Sequence, residues 1–309
     1  MPRICLAPLA GVNIVTVREF FTELGADFTH TEMISCEGLA RNNPKTFEML
    51  RISELESPLI IQVFASNDGV LKLGVKSLLR FLDANFQREK LFGLGINMAC
   101  PMPKVTKNGS GAALLRKPDI AVKMVESVCE FGIPVWVKIR KLENSRDTLE
   151  LVGKILSAGA SNICIHGRTQ AQRYSGIADK KIILEAVRNF GGEKISASGD
   201  VWGIEDVDEY VSYGCDCVMI ARGAIANPWL FCEIRGMNKS RAEKIADILR
   251  LAERTKNFLG EHKSLVTLKK FSLSLMRGFE GGADLRDKIC KSRNYDEAVN
   301  ILIGGKIES

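Results

Sequence analysis

The sequence predicts an α/β chain, a (β/α)₈ TIM barrel followed by a small C-terminal α-helical bundle domain. Three observations predict it. Eight short apolar segments rich in β-branched residues recur through residues 1–233, stretches with helical spacing lie between them, and the alternation stops near Ser240. Of the 309 residues, 46% are hydrophobic and 26% charged, which supports a large buried core and excludes a disordered chain.

The predicted strands are, in order, ICLAPLAG (4–11), FTHTEM (28–33), PLIIQVF (58–64), GLGINMACP (93–101), PVWVKIR (134–140), NICIHGR (162–168), KISASGDV (194–201) and CVMIARGA (217–224). Apolar runs with few alternating polar residues fit strands buried on both faces, as in parallel sheets. Between them, VREFFTELG, VLKLGVKSLLRFL, IAVKMVESVCEFG, TLELVGKILSAG and IILEAVRNFG have helical spacing, and several end at Gly, which readily takes the left-handed conformation that stops a helix. The barrel is expected over 1–235. Past a joint at roughly 233–241, Ile245, Ile248, Leu249 and Ala252 share one helical face. The next segment repeats the habit with Leu265, Leu268, Phe271 or Ser272, and Leu275, and Asp296 to Ile303 makes a third helix closed by Gly304 and Gly305. A helical domain is expected over 240–309.

Charge and cysteine usage narrow the class. The net charge is +6 with three His, which excludes a histidine-rich metal cluster. Residues 1–233 carry 27 Lys+Arg against 27 Asp+Glu, whereas 234–309 carry 16 against 10, so the whole surplus lies in the last quarter. That surplus suits either a solvated helical surface or a docking face for a polyanion, since cations gain affinity by releasing phosphate counterions. The nine Cys contain no CxxC pair and sit mostly in apolar strings, as small hydrophobes in a reducing compartment do. The first residues lack the basic and apolar regions of a signal peptide, and no run approaches the ~20 apolar residues of a bilayer span, so a cytoplasmic location is expected.

In such barrels function collects at the carboxyl ends of the strands. There this chain places Ala10 and Gly11, Glu32, Gln62, Asn97 and Cys100, Lys138 and Arg140, His166 and Arg168, Ser198 to Asp200, and Arg222. ASGD (197–200) and ARGA (221–224) end the last two strands with small residues that let backbone N–H groups approach a ligand, and Arg222 adds a bidentate grip for phosphate. Lys138 puts a cation where an electron-rich ring would need one, with Gln62 and His166 as hydrogen-bonding partners. A phosphate corner beside amide, amine and imidazole groups fits FMN. Cys100 ends its strand on the functional rim, before a Gly-rich loop with Lys104 and Lys107 and no nearby His. A thiol with an ordinary pKa of about 8.5 is protonated near neutrality and suits a general acid better than a nucleophile.

LAPLAG, IIQVF, GINMACP with its GSGAALL continuation, VKIR, IHGRT, SGDV and ARGAIANPWLF stand in the order found in the tRNA-dihydrouridine synthase family, which the chain resembles over nearly its whole length. The resemblance implies an FMN-dependent enzyme that uses NADPH to reduce the C5–C6 double bond of particular uridines in tRNA. It implies that Pro8, Leu9 and Ala10 lie against the flavin. Gln62, Lys138 and His166 would hold its ring, and Ser198, Gly199, Asp200, Ala221 and Arg222 its ribityl phosphate. Hydride would pass from the flavin to uridine C6 and a proton from Cys100 to C5, with the base turned out of the stack. Asn97 and Arg168 would contact the target base or its phosphate, the loop of Lys104 and Lys107 would close over it, and the C-terminal domain would dock tRNA. Lys269, Lys270, Arg277 and Arg286 are expected to meet tRNA phosphates there. The chain departs from the family pattern at Leu9, usually Met, at Ala99, usually Gly, at Ser198, usually Asn, and at Lys270, frequently His. On the residues alone two other readings stay open. One is a flavin barrel acting on a free pyrimidine, in the manner of dihydroorotate dehydrogenases; the other is a non-catalytic RNA-binding protein that uses the barrel as a scaffold.

Overall fold

Alternation along parallel strands sorts the side chains into an inward and an outward population. The computed structural model describes residues 2–56, 58–276 and 281–304. Among these, nine strands form: β1 (Arg3–Leu6), β2 (Thr29–His30), β3 (Ile34–Ser35), β4 (Leu59–Phe64), β5 (Leu91–Met98), β6 (Val135–Arg140), β7 (Asn162–His166), β8 (Ile195–Ser198) and β9 (Cys217–Ile220). They follow the eight predicted segments, with one addition: the second segment (28–33) holds only β2, and β3 follows just beyond it, the two pairing with opposite ends of β4. All pairings are parallel, in the order β1-β9-β8-β7-β6-β5-β4-β2. A bridge between Cys5 and Phe28 closes the ring, with Leu6 N–H donating to the Phe28 carbonyl at 3.3 Å and Asp27 N–H to the Ile4 carbonyl at 2.9 Å.

Outward residues such as Ile4, Leu6, Ile61, Val63, Val137 and Ile165 are fully buried beneath the surrounding helices. Each such side chain contributes about 1.5–3 kcal/mol on burial. Inward residues form a separate cluster of Cys5, Ile60, Trp136, Cys164, Cys217 and Met219 with Phe28. Strand β5 yields space to it. A Cβ on Gly93 would lie 2.9 Å from Trp136 Cδ1 and one on Gly95 3.0 Å from Ile60 Cγ2, so both positions require glycine to fill the barrel floor at native density. Some connecting helices begin where a polar side chain satisfies a first-turn N–H group, as Asn67 does for Val70 at 3.0 Å and Asn144 for Asp147 at 2.8 Å.

After Ser240 the described residues form the helices Arg241–Leu259, Glu261–Ser272, Gly282–Lys291 and Tyr295–Gly304. The third was not expected from the sequence. Its apolar face is reduced to Leu285 and Ile289 within a charged string, too narrow a stripe to register as amphipathic. These helices share the core of the barrel: Phe271 meets Phe20 and Phe21 at ring-centroid distances of 6.0 Å each, and Thr255 Oγ1 lies 2.8 Å from Thr16 Oγ1. Arg250 and Arg254 reach Glu23 across the same seam. No helix of the described residues is long and apolar enough to cross a membrane.

Two predictions follow from this packing. Phe271→Ala removes the ring that joins the two helical layers and should cost about 3–5 kcal/mol in denaturant unfolding, as buried Phe truncations do; a loss under about 1 kcal/mol would contradict the shared core. His30 is fully buried beside β1, its Nδ1–H donating to the Leu6 carbonyl at 2.8 Å, and burial holds its pKa at about 3. Between that value and the ordinary 6.5 the unfolded chain binds the extra proton, so stability falls as pH drops below about 6.5. Unfolding titrations at pH 4–7 should show a shallower acid slope for His30→Asn by about 1.4 kcal/mol per pH unit. Identical slopes would show that His30 does not carry the effect.

Candidate active site

The inward columns of β5 to β8 end in polar residues, and register brings those ends together. Asn97 pairs with Lys138 across β5 and β6, Lys138 with Cys164 across β6 and β7, and Arg140, His166 and Ser198 align across β6, β7 and β8. They surround a cavity of about 270 Å³ whose wall includes Pro8, Leu9, Ala10, Asn97, Cys100, Lys138, His166, Ser198, Gly199, Asp200, Ala221 and Arg222. The wall also includes Met33, Tyr174 and Trp202, to which the sequence assigns no role, and Arg140, which the sequence places at a functional strand end without a stated contact. Arg140 carried a usable signal, since residues two apart on a strand face the same side as Lys138 does. Tyr174 and Trp202 lie in loops, where no periodicity points to the mouth.

Lys138 sets the electrostatics. Its Nζ has Cys164 Sγ at 3.9 Å as its hydrogen-bond partner, and no carboxylate of the described residues lies within ion-pair distance. Burial lowers its pKa, Cys164 opposes that shift, and neighbouring Arg140 adds to it. A half-buried cation without an anion is best met by a polarisable or electron-rich ligand above it. His166 answers to the same field: burial first, then the charges of Lys138, Arg140, Arg168 and Arg222, push its pKa down to about 2. The ring is therefore neutral at physiological pH. Arg168 Nη1 approaches His166 Nε2 at 3.4 Å and can only donate, which assigns the ring proton to Nδ1.

Cys100 is held by its turn. Asn97 Oδ1 accepts the N–H groups of Ala99 at 3.2 Å and Cys100 at 3.0 Å, Arg140 Nε donates to the Ala99 carbonyl at 2.8 Å, and Ala112 N–H to the Cys100 carbonyl at 3.0 Å. Gly111, at φ +60°, passes so close that a Cβ would sit 2.8 Å from that carbonyl oxygen. The thiol is half-buried and desolvation raises its pKa, with the Met102 N–H and the Arg140 charge opposing. It is a protonated thiol near pH 7.

Several predicted contacts take other positions. Asn97 lines the cavity, but its amide is engaged: besides the turn, Nδ2 donates to Gln62 Oε1 at 2.8 Å. Gln62 itself is buried and stands behind Asn97 rather than in the cavity wall. Arg168 is likewise outside the wall, 3% exposed. It is spent on Asp200 at 2.7 and 2.8 Å and on the carbonyls of Ser175 and Gly176 at 3.1 and 2.6 Å. Asp200, at φ +47°, is shared between Arg168 and Arg222, the latter at 2.9 Å. Gly199 carries φ +120°, and a Cβ there would lie 2.8 Å from His166 Cδ2. Lys104 and Lys107 are exposed at the rim, on and just after the helix Pro103–Thr106.

In the C-terminal helices, Lys269 Nζ donates to the Cys290 and Ser292 carbonyls at 2.9 and 2.5 Å. Lys270 Nζ donates to the Gly11 carbonyl at 2.8 Å, on the loop that also carries Pro8 to Ala10. Arg286 is exposed, and Arg277 lies outside the described residues.

A family model described as Dihydrouridine synthase (Dus) matches residues 5–304. The probable tRNA-dihydrouridine synthase of Aquifex aeolicus (strain VF5) is 31% identical over 305 residues, covering 96% of this chain and 93% of the relative. That of Treponema pallidum (strain Nichols) is 35% identical over 241 residues, 74% of this chain and 69% of its own. The "tRNA-dihydrouridine(47) synthase [NAD(P)(+)]-like" protein of Homo sapiens is 29% identical over 254 residues, 80% of this chain and 38% of the longer relative. Among solved structures, DHODH in complex with ferulenol from Eimeria tenella superposes with a TM-score of 0.52 at 12% identity, over 75% of this chain and 80% of that one. TcOYE with pHBA gives 0.52 at 12% identity, over 78% and 91%, and these two likenesses support the barrel fold alone. With a match that spans the barrel and the C-terminal helices together, the chain belongs to the dihydrouridine synthase family.

Proposed function

We propose that the protein is an FMN-dependent, NADPH-driven tRNA-dihydrouridine synthase that reduces the C5–C6 double bond of uridines in tRNA. The observation that carries the reading is the meeting, in one cavity, of an uncompensated Lys138 cation, a neutral His166 and a protonated Cys100. These residues fit a flavin. The Asp200 carboxylate in the wall is already held by Arg168 and Arg222, no group of metal-ligating side chains forms among the described residues, and the Lys138 cation asks for an electron-rich ring. The corner of Gly199, Ala221, Arg222 and Gly223 offers small residues and a guanidinium to a phosphate.

When bound, the flavin supplies the hydride for uridine C6, having received it from NADPH. The remaining chemistry belongs to side chains. Lys138 stabilises electron density on the ring bound above it. His166 donates from Nδ1 without adding charge, because burial, aided by the four surrounding cations, keeps it neutral. Pro8, Leu9 and Ala10 supply an apolar wall that excludes water. Cys100 gives its proton to C5 as the hydride arrives at C6, and its thiolate is reprotonated from solvent. Asn97, Gln62, Arg140 and Gly111 act as positioning residues for that thiol, and Arg168 holds Asp200 rather than the substrate. The exposed cations Lys104, Lys107 and Arg286 suit tRNA phosphates, which set position more than sequence. Lys269 and Lys270 brace the helices and the Gly11 loop in the free protein. We read the location as cytoplasmic, where reduced thiols and tRNA coexist.

The test uses the intact chain, because removing residues beyond Ser240 would strip Phe271 from the barrel's helices. Purified protein with NADPH and unmodified tRNA should yield dihydrouridine, mapped by mass spectrometry, and should leave free uridine and orotate unreduced. Cys100→Ala should keep flavin binding and NADPH-driven flavin bleaching while tRNA reduction falls by about 10²–10⁴-fold. Turnover of the free pyrimidines, or full tRNA turnover by Cys100→Ala, would contradict the reading.

A further inference from the structure

Resting on the flavin reading above, we propose that Tyr174 and Trp202 clamp Arg222 between their rings and so make this chain select a phosphorylated flavin over riboflavin. The Arg222 guanidinium carbon lies 4.9 Å from the Tyr174 ring centroid and 5.1 Å from that of Trp202. The rings arrive from separate loops, Tyr174 after β7 and Trp202 after β8. Guanidinium faces are weakly hydrated and stack on aromatic rings, whereas the N–H donors all lie in the plane. Two rings this close to the guanidinium carbon occupy space on its faces and leave the in-plane edges to bind. Among the described residues the one hydrogen bond made by Arg222 is from Nη2 to Asp200 Oδ1, so other in-plane donors stay unused. Asp200 is at the same time held twice by Arg168, and one carboxylate between two guanidiniums leaves the corner positive.

The clamp is built before any ligand enters. Tyr174 is gripped on both sides of its backbone: Arg140 Nη1 donates to the Arg173 carbonyl at 2.7 Å, and Arg168 Nε to the Ser175 carbonyl at 3.1 Å. Trp202 and Gly203 donate their N–H groups to Asp206 Oδ2 at 2.9 and 3.3 Å, which ties that turn to the helix Ile204–Ser212. Neither ring belongs to a hydrophobic core cluster, and they stay 53% and 47% exposed. Two large rings held in place but outside the core have Arg222 as the partner they share. A long side chain left free would lose rotamer entropy on gripping an oxygen pair, and one already held between rings loses less. The gain goes to a ligand group that matches the fork, a phosphate, and not to the neutral hydroxyl that ends riboflavin's chain.

Flavin-depleted full-length protein titrated with FMN and with riboflavin, followed by flavin fluorescence, tests this. Trp202→Ala and Tyr174→Ala should each weaken FMN about tenfold while changing riboflavin less than about twofold, and Trp202→Phe and Tyr174→Phe should restore the preference. Circular dichroism melts of the variants should match the wild type, since the rings lie outside the core. Equal loss for both flavins, or an unchanged FMN-to-riboflavin ratio accompanied by a raised KM for tRNA, would overturn the clamp and assign the rings to the isoalloxazine or to RNA. Wild-type protein that binds neither flavin would overturn the reading beneath it as well.

Discussion

A cation with no counter-charge, Lys138 at the mouth of a closed parallel barrel, is the constraint around which the site is organised. Burying such a group costs free energy unless something polarisable meets it, and below it the protein offers sulfur, in Cys164, where a carboxylate would have neutralised it. Burial, reinforced by that cation and the neighbouring guanidiniums, keeps His166 uncharged, and burial holds the Cys100 thiol protonated against the opposing charge of Arg140.

Strand alternation delivers that arrangement. Every second residue of the buried strands points inward, and the inward column runs from Trp136 at the floor through Lys138 to Arg140 at the rim. Glycines at 93 and 95 permit the floor to fill, and those at 111 and 199 permit the rim to close around Cys100 and His166. The C-terminal helices are joined to this frame in the core, through Phe271 among other contacts, and beside the cavity, through Lys270 at the Gly11 loop. The surface that carries the basic surplus is thereby mechanically continuous with the first wall of the site.

Much of this was legible in the sequence because it follows from period and position. The eight strand segments, their polar ends and the two Gly-containing corners are local patterns, and Cys100, Lys138 and His166 stand where those patterns put them. The extra strand β3, just past the second predicted segment, depends on how it meets β4, which no local pattern encodes. The roles of Arg168, Asn97 and Gln62 were not legible either: each sits at a functional strand end, and only the folded loops reveal that their hydrogen bonds are already committed. Tyr174 and Trp202 escaped for the complementary reason, since exposed loop aromatics gain meaning only beside Arg222.

The most direct measurement is on Lys138→Met, which keeps the side chain's length and removes its charge. If the cation is retained for a ligand at the expense of the barrel, the flavin-free variant should melt at a higher temperature than the flavin-free wild type and bind FMN at least about tenfold more weakly. A variant that melts lower and binds FMN as tightly as the wild type would show that Lys138 serves the fold instead of the site.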